Sequence, residues 1–384
     1  MRYVFVLVIL ASAITGQRDP GFEKIIGGAG FDRGVDAKQT SDGGYIAVGA
    51  TGSYGKGGED VYLVKTDSRG RLEWSRSYGG REEDNGWSVQ ENADGFLVAG
   101  FTKSFGSGGF DFFVIKTGRD GAIVWTRTYG GKGDDRAWAM IPVTEGGIVV
   151  VGETTGAAPG GAHDCMLVRT DSAGKEIWSR TYGGAKSDRC FSIAQADDGG
   201  FVLAGQTYSE GAGDRDAFVI KTDSEGKKVW SRTFGGEASD VGHWITRISD
   251  GNFLVTGYTT SFARNGDDPY LIMLDKDGKT IWTRVLHIDG VVHTLTGAQA
   301  TGGGFFLVGF SEYPEQGIRA AVLIKTDVEG NLVWKKDVLP TKSGQSFGYT
   351  VSATPDGGCV FTGHTTEKGA GDLDLILVKS PGLD

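Results

Sequence analysis

A tryptophan returns every 51 to 53 residues through most of this chain, as Trp74, Trp125, Trp178, Trp230, Trp282 and Trp334. A fixed period of this length is the mark of a repeat array, in which each unit buries its apolar face only against its neighbours. The 24 residues KTDSEGKKVWSRTFGGEASDVGHW, from Lys221 to Trp244, carry the pattern most fully.

Each unit contains four strand-like runs, which in the unit around Trp125 cover 87–92, 96–102, 111–117 and 123–129. The second and third (FLVAG, FFVIK) are almost continuously apolar, as strands covered on both faces are. The fourth alternates: Leu72, Trp74, Arg76 and Tyr78 fall on one face, with Glu73, Ser75 and Ser77 on the other. That predicts an outer strand with one wet side. Asp-Gly or Glu-Gly, starting at Asp42, Asp94, Glu145, Asp198, Asp250 and Asp356, joins the first run to the second. Asp-x-x-Gly precedes five of the tryptophans, at Asp67, Asp171, Asp223, Asp275 and Asp327. Both are hairpin signals, because Gly supplies the positive φ that a tight turn needs.

The hairpins between first and second strands number seven, counting Gly302-Gly303-Gly304, yet only six units carry the tryptophan strand. The missing strand is at the other end of the chain. FEKIIGG at 22–28 aligns with WSRSYGG at 74–80, and the last unit stops after its third run, at 374–380. A strand from the N-terminus can therefore complete the last sheet and close a ring, removing exposed sheet edges. The fold predicted is all-β: a seven-bladed β-propeller of four-stranded antiparallel blades over 17–384, with 22–28 joining the blade formed by 348–380.

The recurring SRTYGG-x3-D, DGGF-x-x-AG-x-T and KTDS-x-G-x-x-x-W resemble the secreted seven-bladed propeller repeats of microbial surface and exported proteins, across 18–384. That resemblance implies the fold and no single activity. TDSEGKKVW is also similar to the Asp-x-x-x-Gly-x-x-x-Trp docking motif of pyrroloquinoline-quinone-type propeller repeats. Quinone enzymes of that class stack the cofactor on adjacent cysteines, and this chain has no Cys-Cys pair.

Residues 1–16 read as a signal peptide: Arg2 gives the positive n-region, 3–14 the apolar core, and small residues follow to Gly16. About 12 apolar residues are too few for a membrane span, which needs about 20. The expected location is thus secreted, extracellular or periplasmic. A formal charge of −10 argues against nucleic acid as a partner. Cys165, Cys190 and Cys359 are odd in number and far apart, so buried thiols are expected rather than a disulfide framework, although two of the three could pair in an oxidising compartment.

Residues that are the same in every unit are read as scaffold. The tryptophans pack between blades, and the basic residues two positions later (Lys24, Arg76, Arg127, Arg180, Arg232, Arg284, Lys336) lie over the blade edge with their heads in water or on a carboxylate. Two aspartate sets recur as well. Asp60, Asp111, Asp164, Asp216, Asp268 and Asp374 open third strands; Asp32, Asp84, Asp135, Asp188 and Asp240 follow the Gly-Gly pair. Rings of carboxylates suggest calcium, but one Asp per blade is too widely spread for a single site. Structural turns are expected, and no cofactor.

Positions that vary within this regular background are the candidate site. After the second-strand glycine the series runs Ala50, Phe101, Glu153, Gln206, Tyr258, Phe310, His364. On the inner strand it runs Val35, Trp87, Trp138, Phe191, His243, Leu295, Phe347. Both series border one rim, so the predicted ligand-binding residues are Trp87, Phe101, Trp138, Glu153, Phe191, Gln206, His243, Tyr258, Phe310 and His364. Aromatic, amide, carboxylate and imidazole groups around one mouth suit a small-ligand or sugar site. His287 and His293 stand where the Gly-Gly pair is lost, near enough to His243 and His364 for a metal or acid–base cluster to be considered. The expected function is a non-enzymatic scaffold binding a carbohydrate, peptide or cell-surface protein. The alternatives are a polysaccharide-acting or quinone-type enzyme, with Glu153, His243 or His364 as acid or base, and a purely structural surface protein.

Overall fold

The computed structural model describes residues 21–156, 162–264, 266–288, 290–339, 344–367 and 369–382; the signal-peptide segment 1–16 lies outside them. Among the described residues, 28 strands run in chain order from β1 (Phe22–Ile26) to β28 (Asp374–Ser380) and form seven four-stranded sheets. Six sheets each use four consecutive strands. The seventh runs β1, β28, β27 (Cys359–Thr365), β26 (Ser346–Ala353), with β1 antiparallel to β28 from Phe22↔Lys379 to Ile26↔Leu375. The ring is closed by the N-terminal strand, as the repeat arithmetic requires.

Strand burial follows the sequence pattern. In the second blade β7 (Gly95–Thr102) is buried along its whole length and β8 (Asp111–Gly118) nearly so, while β9 (Ile123–Tyr129) is the wet outer strand. The outer strand departs from strict alternation at its start. A bulge leaves Val124 opposite no partner, since Lys116 pairs with Trp125 but Thr117 with Ile123. Leu72 and Ile123 are thereby turned to solvent instead of sharing a face with the tryptophan, each about half exposed.

The tryptophans clasp neighbouring blades. A Cβ on Gly121, in the last turn of the second blade, would stand 2.9 Å from the Trp74 ring, and Tyr78 donates its hydroxyl hydrogen to the Gly121 carbonyl at 2.7 Å. Trp125 and Tyr129 hold Gly174 in the same way. At the closure Phe22 takes the tryptophan's place, 2.7 Å from a Cβ on Gly70 and edge-on to Tyr45 at 5.2 Å. The five arginines two positions on lie across the indole faces, with Arg76 5.8 Å from the Trp74 centroid and Arg180 5.3 Å from that of Trp178. Arg76 and Arg180 each donate to the carbonyl just before them and stay exposed, so the head is in water as expected, with a cation–π contact added.

The two aspartate sets, separate in sequence, meet at the blade interfaces. Asp60 and Asp84 flank Gly79, their carboxylates reaching within 2.0 and 2.6 Å of where a Cβ would stand; Asp111 and Asp135 flank Gly130 likewise. The first glycine of each Gly-Gly pair is therefore the gap that lets two carboxylates approach. Asp84 accepts from the Gly80 amide (2.7 Å) and from the hydroxyls of Ser104 and Thr102. Where the series breaks, the partner changes with it. Asp268 pairs with Nδ1 of His287 at 2.8 Å, and Ala320 is matched by Ser346, whose hydroxyl accepts from the Ala321 amide.

Burial and the neighbouring Asp135 charge push Asp111 up to about 6 from 3.8. The folded state then binds a proton more tightly than the unfolded one. The resulting stability is full below about pH 4 and is lost as pH rises through about 6. Asp111→Asn cannot ionise and retains an oxygen for the Ser107 amide. It should raise the melting temperature by a few degrees at pH 7.5 and leave it unchanged at pH 4, as thermal melts will show.

Cysteine chemistry differs from expectation. Cys165, in β12 (Asp164–Thr170), and Cys190, in β14 (Asp188–Gln195), form a disulfide with Cα atoms 5.1 Å apart, while Cys359 is the buried thiol. The strands belong to adjacent blades, and the fully buried side chains meet at their shared interface. Sequence separation of 25 gave no sign of that meeting.

Candidate functional site

The inner strand of every blade carries a β-bulge, and the bulged residue is the one aimed at the central channel. Register shifts skip Val35, Trp87, Trp138, Phe191, His243, Leu295 and Tyr349. Six match the predicted inner series. The seventh is Tyr349; Phe347 instead pairs with His364, as Arg33 pairs with Ala50. A bulge kinks its strand and re-aims one side chain, so a repeated backbone irregularity builds the mouth. A cavity of about 260 Å³ opens there, lined in part by Trp87, Trp138, Phe191, His243 and Tyr349.

The aromatic side chains form a closed circuit. It runs Trp87, Trp138, Phe191, His243, Tyr258, His293, Phe310, Phe347, His364, Tyr349 and back to Trp87, with consecutive centroids 4.5–6.5 Å apart. Trp87 and Trp138 meet edge-to-face at 4.5 Å; His293 stacks on Phe310 at the same distance. Phe101 backs the two tryptophans from outside the circuit.

Arginines, which the sequence reading passed over, stand above this collar. Arg33 covers Trp87 (5.4 Å), Arg136 covers Phe101 and Phe110 (5.7 and 4.2 Å), and Arg319 covers Phe310 and Phe347 (5.7 and 5.6 Å). Arg215 lies over Tyr258, donates to its hydroxyl at 2.8 Å and reaches Gln206 Oε1 at 3.3 Å. Arg33 and Arg136, together with Arg189, directly follow an aspartate of the Gly-Gly series (Asp32-Arg33, Asp135-Arg136, Asp188-Arg189), a signal available in the sequence. Glu153 is 2% exposed, with Arg189 Nε 3.1 Å from one oxygen and Arg136 3.8 Å from the other. Burial raises its carboxyl, and the two guanidiniums oppose that rise.

The predicted site residues therefore fall in two layers. Trp87, Trp138, Phe191 and His243 line the cavity. Tyr258 and Phe310 complete the collar, partly exposed, while Phe101, Glu153, Gln206 and His364 are almost wholly buried beneath the arginines and rings. The histidines do not converge on one point: His287 faces Asp268, and His293 Nε2 lies 3.1 Å from Asp267. Among the described residues no group of three His, Cys, Asp or Glu is placed to hold a metal ion. Burial, aided by Arg215 and His293, holds His243 down to about 4; burial and Arg33 hold His364 down to about 3. Both are neutral imidazoles near pH 7. Several buried N–H donors here, Trp87 Nε1, Arg33 Nε and Arg215 Nε, have no acceptor among the described residues, whereas Trp138 is within reach of the Glu153 carboxylate.

No family model matches the chain. A 163-residue stretch is 30% identical to Regulatory protein FlaEY of Caulobacter vibrioides, covering 36% of this chain and 17% of that protein. Solved propellers superpose over nearly the whole length. The YCF48 structure bound to a D1 peptide gives a TM-score of 0.53 at 13% identity, over 96% of each chain. The β-propeller domain of the Trilobed protease from Pyrococcus furiosus gives 0.53 at 10%, over 93% of this chain and 97% of that one. The Neurospora crassa Pan2 WD40 domain gives 0.52 at 12%, over 93% and 90%. This chain is a β-propeller. At such low identity the likeness establishes the fold alone, one consistent with a binding scaffold. No helix among the described residues is long and apolar enough to cross a membrane.

Proposed function

We propose that the chain is a secreted, non-catalytic propeller that binds a carbohydrate or peptide of a cell surface at its arginine-capped aromatic mouth. The closed circuit of ten rings around the cavity carries this reading. Aromatic faces take the apolar face of a sugar or a peptide side chain, and the unmatched N–H donors suit hydroxyl, carboxylate or peptide-carbonyl acceptors. The YCF48 propeller bound to a D1 peptide is an instance of the peptide alternative in this fold. The Cys165–Cys190 disulfide and the 1–16 leader pattern both favour an oxidising compartment.

The enzyme alternative is less well supported. Glu153 is buried between two guanidiniums, and His243 and His364 are neutral, so none of the three residues considered as acid or base stands free to act in glycoside hydrolysis. Parallel glycan and peptide arrays identify the partner class. Trp87→Ala and Trp138→Ala should then weaken binding roughly tenfold each, about 1.4 kcal/mol, in chains that still melt cooperatively. Binding that survives both substitutions, or arrays on which nothing binds, would overturn the assignment.

A further inference from the structure

The opposite face carries the turns joining first to second and third to fourth strands. In most blades the third strand carries a cation that the first hairpin neutralises. Lys65 reaches Asp42 at 3.0 Å and Glu73 at 3.2 Å, Lys221 reaches Asp198 at 2.8 Å, and Lys379 reaches Asp356 at 2.7 Å. The sixth blade keeps the lysine and loses the counter-ions. Lys325 stands where Lys65 does, Gly302 replaces the hairpin acid, and Val333 replaces Glu73. Among the described residues its ammonium donates only to the Gly303 and Thr326 carbonyls, with the Phe306 ring 5.1 Å away. The fifth blade shows the opposite loss: Met273 replaces the lysine, and Asp250 turns to Asn252.

An unmatched acid in water costs little, whereas a half-buried ammonium without a counter-ion is costly. Burial accordingly lowers the affinity of Lys325 for its proton, against the nearby Asp327 charge. The other acids here are engaged elsewhere: Asp327 accepts from the amide and side chain of Asn331, and Asp356 from Lys379. Beside Lys325 opens a cavity of about 510 Å³, walled by Val328, Val333, Trp334 and Pro381. A Cβ on Gly302 would meet nothing within 4 Å, so the space of the missing aspartate is open.

We propose that this cavity binds a small monocarboxylate with an apolar or aromatic body. Its carboxylate takes the place of the absent hairpin acid on Lys325, and its body lies against Val333 and Trp334. The site is separate from the aromatic mouth and does not depend on what binds there.

The test is calorimetric titration of the full chain with 3-phenylpropanoate and with 3-phenylpropanamide. The carboxylate should bind and the amide should not. Gly302→Asp restores the intramolecular acid at a position whose backbone accepts a side chain. It should fold, melt a few degrees higher and lose at least tenfold in carboxylate affinity. Lys325→Met, which copies the fifth blade, should lose affinity to the same extent. Failure of the wild-type chain to bind, equal binding of the amide, or affinity retained within twofold in both variants would overturn the proposal.

Discussion

Removing β1 is expected to abolish cooperative folding of a ring whose other 27 strands are untouched. The strand supplies the outer edge of the last blade through five register pairs with β28. Its apolar residues serve the interfaces on both sides of the last blade: Ile25 packs on the core shared by the sixth and seventh blades, and Phe22 and Ile26 on that shared by the seventh and first. Burying these three side chains contributes roughly 4–6 kcal/mol, against a typical total stability of about 5–15 kcal/mol. Deletion would also bare the edge of β28, a template for aggregation. A chain lacking 22–26 should lose its sharp melt or come out of solution. A synthetic peptide spanning 20–29, added in trans, should restore the transition in a concentration-dependent way. An unchanged melt after deletion would mean that the ring is held shut by something else.

The second large effect is expected at a glycine. In each blade the second strand places a glycine opposite the bulge of the inner strand, where the bulged backbone occupies the Cβ position. For Gly205 an added Cβ would stand 1.8 Å from the Arg189 carbonyl oxygen, and at the equivalent glycines the gap is 1.7–2.0 Å. Such a contact yields only if the bulge flattens. Gly205→Ala should therefore cost about 3 kcal/mol or more, a severe effect for one methyl group. Flattening would also turn Phe191 away from the channel, so partner binding should fall with stability. Gly302→Ala, which adds the same methyl to open space, is the control and should change stability by less than about 0.5 kcal/mol. Equal melting of the two variants would show that the bulges are not fixed by these glycines.

The fold was legible because repetition multiplies weak signals. One WSRTYGG segment is an ambiguous strand, but six tryptophan strands at a near-constant spacing, four of them ending in Gly-Gly, with Phe22 in register at the start, fix blade number and closure together. Legibility failed where the repeat does. The loop before the last inner strand lacks the Gly-Gly pair and its following aspartate, so the register there was placed two residues early and Phe347 was taken for Tyr349. The disulfide joins different strands of neighbouring blades, and no local pattern records such an approach. Pairing of the two aspartate sets was hidden in the same way, since Asp60 and Asp84 belong to different units. Which variable residues reach the channel depends on the bulges. Alternation alone cannot show them, because one extra residue changes the face to which everything beyond it points.

The indole ¹⁵N–¹H spectrum tests the central claim most directly, since the nine tryptophans divide by location. Trp87, Trp138 and Trp244 line the channel cavity, while Trp74, Trp125, Trp178, Trp230, Trp282 and Trp334 lie between blades near the outer edge. On titration with the glycan or peptide identified by the arrays, the signals of Trp87 and Trp138 should move first and furthest while those of the six outer tryptophans stay in place. Shifts confined to the outer six, with Trp87 and Trp138 unmoved at saturation, would contradict a binding site at the mouth.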